Sequence, residues 1–113
     1  MDKEKLQARF MRDPFPRRMG GLAATFGRIA SSARESDNPI VVTGLLQEGK
    51  YLIEWTAAEA EPEIAEELVK IQTMIALWLR AWDKAKENRQ QRILLSVQAK
   101  DWADKALVFS GLL

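Results

Sequence analysis

At 113 residues the chain has room for one domain with one core, and 47% hydrophobic with 29% charged residues is a globular composition. It contains no Cys and no His, which excludes disulfides, thiolate zinc sites, thiol catalysis, a histidine general base, Ser-His-Asp chemistry and the Glu-x-x-His motif of carboxylate-bridged metal bundles. The net charge of +1 is unevenly spread: residues 1–34 hold eight Lys/Arg against three Asp/Glu, residues 35–67 one against nine, and residues 68–113 eight against four.

No apolar stretch like a secretory signal opens the sequence, and the longest strongly apolar uncharged run, Ile71 to Leu79, is too short to span a bilayer. A cytoplasmic protein is the expectation. In chain order, residues 1–18 read as an N-terminal basic arm and 19–113 as a helical bundle domain. Met1 to Arg12 can form a short helix with Leu6 and Phe10 on one face. Asp13-Pro14-Phe15-Pro16 forbids its continuation, so residues 13–18 are expected to be an extended strap anchored by Phe15.

The first long helix is predicted from Met19 to Arg34, because Met19, Leu22, Phe26, Ile29 and Ala33 recur at helical spacing. A second face of Gly20, Ala23, Ala24, Gly27, Ala30 and Ser31 is small enough to let another backbone approach closely. Glu35 to Pro39 ends this helix, with Asn38 as N-cap and Pro39 at the first position of the next. That second helix covers about Ile40 to Ala58. Its β-branched start invites a strand, but the helical period continues past it and no partner strand is evident.

Thr56-Ala-Ala-Glu59 fits a capping box, yet a helix begun there would hold Pro62 in its interior, so the third helix is expected to start near Pro62. From there to about Glu87, Ile64, Leu68, Ile71, Ile75, Trp78 and Trp82 form a coiled-coil-type seam that Met74, Leu77 and Ala81 widen. A helix this broadly apolar is central in a bundle or faces a second subunit. Asn88 is the expected break before a last helix at about Arg89 to Ser110, with Gly111 as C′ cap and Leu112 making the accompanying apolar contact.

Four residue sets carry the functional expectations. Met74, Trp78, Trp82 and Trp102 are either core or a partner interface, and core packing is the preferred reading. Arg9, Arg12, Phe15, Arg17 and Arg18 form an arm able to contact an anion or a partner, with Arg28 further along and Phe10 and Phe15 placed to stack on bases. Packing of this arm on the acidic 54–67 region, within the chain or on a second subunit, is preferred over nucleic acid. Glu54, Glu59, Glu61, Glu63, Glu66 and Glu67 could hold a divalent cation, Glu63 and Glu67 lying one turn apart, but a solvated helix start favoured by its dipole explains them better. Gly20-Gly21 lacks the preceding strand and the Lys of a phosphate loop, and Ser31, Ser32, Ser36 and Ser96 have no neighbouring base.

Through Asp13-Pro-Phe-Pro-Arg-Arg-Met-Gly-Gly-Leu-Ala-Ala, Tyr51-Leu-Ile-Glu-Trp-Thr-Ala-Ala-Glu and the terminal Ser110-Gly-Leu-Leu, the chain resembles a group of small helical proteins of unknown function from cyanobacteria. The resemblance implies a cytoplasmic interaction protein and identifies no activity or site. The expected architecture is an all-α, four-helix, mostly up-and-down antiparallel bundle with an N-terminal extended arm. The expected function is a non-enzymatic protein–protein interaction or assembly module, self-associating as a homodimer or binding another protein, with no cofactor, metal or membrane. A nucleic-acid-associated regulator using the basic arm is the alternative.

Overall fold

Capping chemistry sets most of the boundaries in the computed structural model, which describes residues 2–35 and 39–111. The Asp2 carboxylate accepts the Lys5 amide at 3.1 Å and opens α1, Lys3–Met11. Pro14 is the N-cap of α2, Phe15–Arg34. Pro39 begins α3, Pro39–Ala57, and Pro62 begins α4, Pro62–Ala85. The Asn88 side chain accepts the Gln91 amide at 3.2 Å and opens α5, Arg89–Ser110, so α4 and α5 are separate helices. Gly111, at φ 72°, ends α5 in the left-handed conformation that glycine adopts without penalty. The proposed Asn38 cap and the Leu112 contact lie outside the described residues.

The fold is all-helical, with five helices and no strand among the described residues. Two expectations change. The described residues form five helices rather than four, the fifth being α1, the short helix that the sequence allows within the arm. The extended strap over residues 13–18 is also corrected: only the turn through Asp13 and Pro14 separates α1 from α2. Pro16 fits the first turn of α2, where its missing amide has no intrahelical partner to lose. The Arg18 amide already donates to the Pro14 carbonyl at 3.0 Å.

The β-branched start of α3 is helical, with the Thr43 hydroxyl donating back to the Pro39 carbonyl. Thr56 does not cap α4; its hydroxyl donates to the Leu52 carbonyl at 2.7 Å inside α3. Short connections make α2, α3, α4 and α5 successive antiparallel neighbours. Three cross-links record the direction: the Trp82 indole N–H reaches the Pro39 carbonyl, Trp78 meets Gln98, and the Ser96 hydroxyl meets the Ala30 carbonyl. The α2–α5 pairing is the most extensive, α3 packs on both α2 and α4, α4 meets α5 sparsely, and α1 lies on α3. Phe26, Met19, Leu22, Ile29, Leu46, Ile53, Leu68, Ile75 and Leu95 are fully enclosed and form the centre of the core.

Candidate functional site

The three indoles, for which the sequence favours core packing over a partner interface, lie in the core. Trp78, Trp82 and Trp102 are all buried, and Met74 is half-buried. Trp78 and Trp82 meet edge-on at 6.4 Å, and Trp102 meets Phe26 edge-on at 5.7 Å. Each N–H on the α4 pair is satisfied within the chain, Trp78 by the Gln98 side-chain oxygen at 2.7 Å and Trp82 by the Pro39 carbonyl at 3.1 Å. The seam of α4 is therefore spent on α3 and α5, and it is not a surface on which a partner can sit.

The small-residue face of α2 is also consumed in part. Ala23 and Ala30 are buried, as are Ser96, Ala99, Ala103 and Ala106 of α5. The Ser96 hydroxyl donates to the Ala30 carbonyl at 2.6 Å and accepts from Arg34 Nε at 2.8 Å. A side-chain oxygen reaching a neighbouring helix's backbone in this way requires close approach of the two helices. The expected visitor to this face is thus α5 of the same chain.

The large apolar side chains that remain exposed lie on four helices, Met11 on α1, Ile40 and Val41 on α3, and the others on α4 and α5. On α4 only Val69 and Leu77 are large, hydrophobic and exposed, whereas α5 exposes Ile93, Leu94, Val97 and Val108. Ile93 and Val97 are one turn apart, and Leu94 lies three residues before Val97, so the three form one patch. The patch is opposite the buried stripe of Leu95, Ala99, Trp102 and Ala106. Sequence reading passed over it because the inward stripe accounted for the period of the helix. The available signal was this second set of apolar residues, which the first stripe leaves unexplained.

The basic arm divides between two roles. Arg18 is buried, its guanidinium paired with Glu59 at the α3–α4 turn and its Nη1 donating to the Met11 sulfur at 3.4 Å. Arm and acidic region therefore meet within one chain. Phe15 packs half-buried against the core, and Phe10 is buried 6.1 Å from the Trp55 ring, which stacks on Tyr51. Lys3 sits over Tyr51 at 4.4 Å. Phe10 is thus buried, and Phe15 keeps only part of its ring exposed.

Arg9, Arg12 and Arg17 stay exposed. Arg9 and Arg12 line a groove of about 550 Å³ together with Asp2, Lys5, Leu6, Ala8 and Glu48. A recess of about 220 Å³ adjoins it, sharing Leu6, Arg9 and Glu48 and adding Thr25 and Arg28. Arg28 Nη2 donates to the Thr25 hydroxyl at 3.1 Å and lies 3.9 Å from the Glu48 carboxylate. Lys5 and Glu48 were not singled out in the sequence; Lys5 is signalled only by its i, i+4, i+7 relation to Arg9 and Arg12.

In the acidic stretch, Glu67 is drawn to Lys70 at 3.4 Å and to Lys105 at 3.9 Å, and Glu66 to Lys70 at 3.5 Å. The hydrogen bond to Glu67 and the charges of Glu67 and Glu66 hold the Lys70 ammonium above the ordinary lysine range. No group of three or more acidic side chains is placed to share a metal ion among the described residues. No described helix is long and apolar enough to cross a membrane. Comparison with protein-family models, with curated proteins and with solved structures returns no match to this chain.

Proposed function

We propose that this chain is a non-enzymatic interaction module that self-associates as a homodimer through the outer face of α5. The observation that carries this is the exposed patch of Ile93, Leu94 and Val97 on the side of α5 turned away from the core. Apolar surface gathered in one place, with a buried stripe already complete behind it, favours a protein partner. A second copy suits it. Two α5 helices laid antiparallel about Val97 set each apolar patch against its own copy, a self-complementary, two-fold contact. The absence of His and Cys is consistent with binding rather than catalysis.

Light scattering after size-exclusion chromatography, over a concentration series, tests the proposal against Val97→Glu. Val97 is 55% exposed, so the substitution leaves the fold intact while placing like charges across the contact. A dimer that becomes a folded monomer in Val97→Glu is the expected result. A wild-type monomer at every concentration, or a dimer indifferent to Val97→Glu, overturns it.

A further inference from the structure

Surface lysines and arginines are ordinarily balanced by nearby carboxylates, and several here are. Arg18 has Glu59, Arg28 has Glu48, Lys70 has Glu66 and Glu67, Lys100 has Asp104, and Lys105 has Asp101. Eleven of the seventeen form no ion pair among the described residues, and three of these line the groove between α1 and α3. Lys5, Arg9 and Arg12 project from one face of α1, spread over roughly 10 Å at 1.5 Å of rise per residue. None of the three forms an ion pair with a carboxylate among the described residues.

The acids that share the groove are already engaged. Asp2 is held as the N-cap of α1, and Glu48 stands beside Arg28. Three uncommitted cations therefore line a cleft of about 550 Å³, a volume in the range of small-ligand sites. The adjoining recess adds a fourth cation, Arg28, with the Thr25 hydroxyl beside it, and the carboxylate of Asp13.

We infer that this groove binds a small anion carrying two or three linked phosphate groups. Linked phosphates present several negative charges over the span of the Lys5–Arg9–Arg12 ridge, and guanidinium groups pair with phosphate oxygens in a planar, two-pronged fashion that a single carboxylate partner does not exhaust. A small ligand is preferred to a nucleic-acid strand, because Phe10 is buried against Trp55 and Phe15 packs half-buried against the core, which reduces the ring surface open to base stacking. Glu48 faces the same space and opposes the ligand's charge, which lets its removal act in the opposite sense to removal of the arginines. The inference is independent of the α5 dimer, since the groove is built from α1, α2 and α3.

Isothermal titration of the full chain at low salt, with inorganic pyrophosphate and then triphosphate, tests it, with sulfate as the monomeric control. Triphosphate is expected to bind more tightly than sulfate. Arg9→Gln and Arg12→Gln should each weaken binding about tenfold, the loss of one charge-assisted contact, and Glu48→Gln should tighten it. Thermal melts confirm that the variants are folded, and Glu48→Gln keeps the test valid if an arginine variant is not. No heat with triphosphate, equal binding of sulfate, or affinities unmoved in Arg9→Gln, Arg12→Gln and Glu48→Gln each overturn it. Tighter binding to a single-stranded oligonucleotide than to triphosphate, rising with strand length, overturns it too and assigns the ridge to a nucleic-acid backbone.

Discussion

Helix α5 is packed on two sides in two different ways. Against α2, beside the Phe26–Trp102 ring pair, the contact is made by Ala23, Ala30, Ser96, Ala99, Ala103 and Ala106, small enough for a serine hydroxyl to reach the opposite backbone. Against α4 it is made by indoles, with Gln98 bonded to Trp78 across the gap, and a shallow cleft of about 270 Å³ opens where Ala81, Lys84, Ala85, Asn88 and Gln91 meet. Side-chain size sets how closely two helices pack. One seam is therefore sensitive to enlargement and the other to truncation, although both belong to a single core.

The largest effect is expected from breaking the indole seam. Trp78→Ala removes a buried ring that touches Trp82 and orphans the Gln98 contact, and it should cost about 3–5 kcal/mol in denaturant unfolding. Enlarging the small seam comes next. Ala30→Leu drives a branched side chain into the face that meets Ser96 and should cost about 1–3 kcal/mol, while Trp78→Phe, which keeps a ring, should cost less than Trp78→Ala. If Ala30→Leu is neutral, the close approach of α2 and α5 is not a stability determinant.

The smallest effect sharpens the comparison in the opposite direction. Gly27 belongs to the same small face of α2, yet a Cβ built there meets nothing within 4 Å. Gly27→Ala should therefore stabilise the protein, by about 0.5–1 kcal/mol from the helix preference of alanine over glycine. A destabilised Gly27→Ala would mean that the seam between Ala23 and Ala30 is tighter at this turn of α2 than the packing indicates.

The α4 helix was readable because one periodic pattern, Ile64 through Trp82, names both the element and its buried face. The caps were readable because Asn88 and Gly111 have local jobs that their own chemistry performs. Phe15 to Arg18 was misread as a strap because two prolines in three residues break most helices, and only their placement at the cap and in the first turn makes them compatible with one. The exposed patch on α5 was hidden for another reason. Ile93, Leu94 and Val97 look no different from core residues until the packing shows which side of α5 is turned outward.

Periodicity and capping, which act over a turn or two of chain, thus determined by themselves that this protein is helical, where α3, α4 and α5 begin, and which stripe of each helix is apolar. The tertiary structure alone decided which stripes meet, that α5 rather than a second subunit lies on the small face of α2, that Arg18 is drawn inside to Glu59, and that Lys5, Arg9 and Arg12 form no ion pair among the described residues. Those outcomes depend on contacts between residues up to 76 positions apart, as between Phe26 and Trp102, and no local preference along the chain records them.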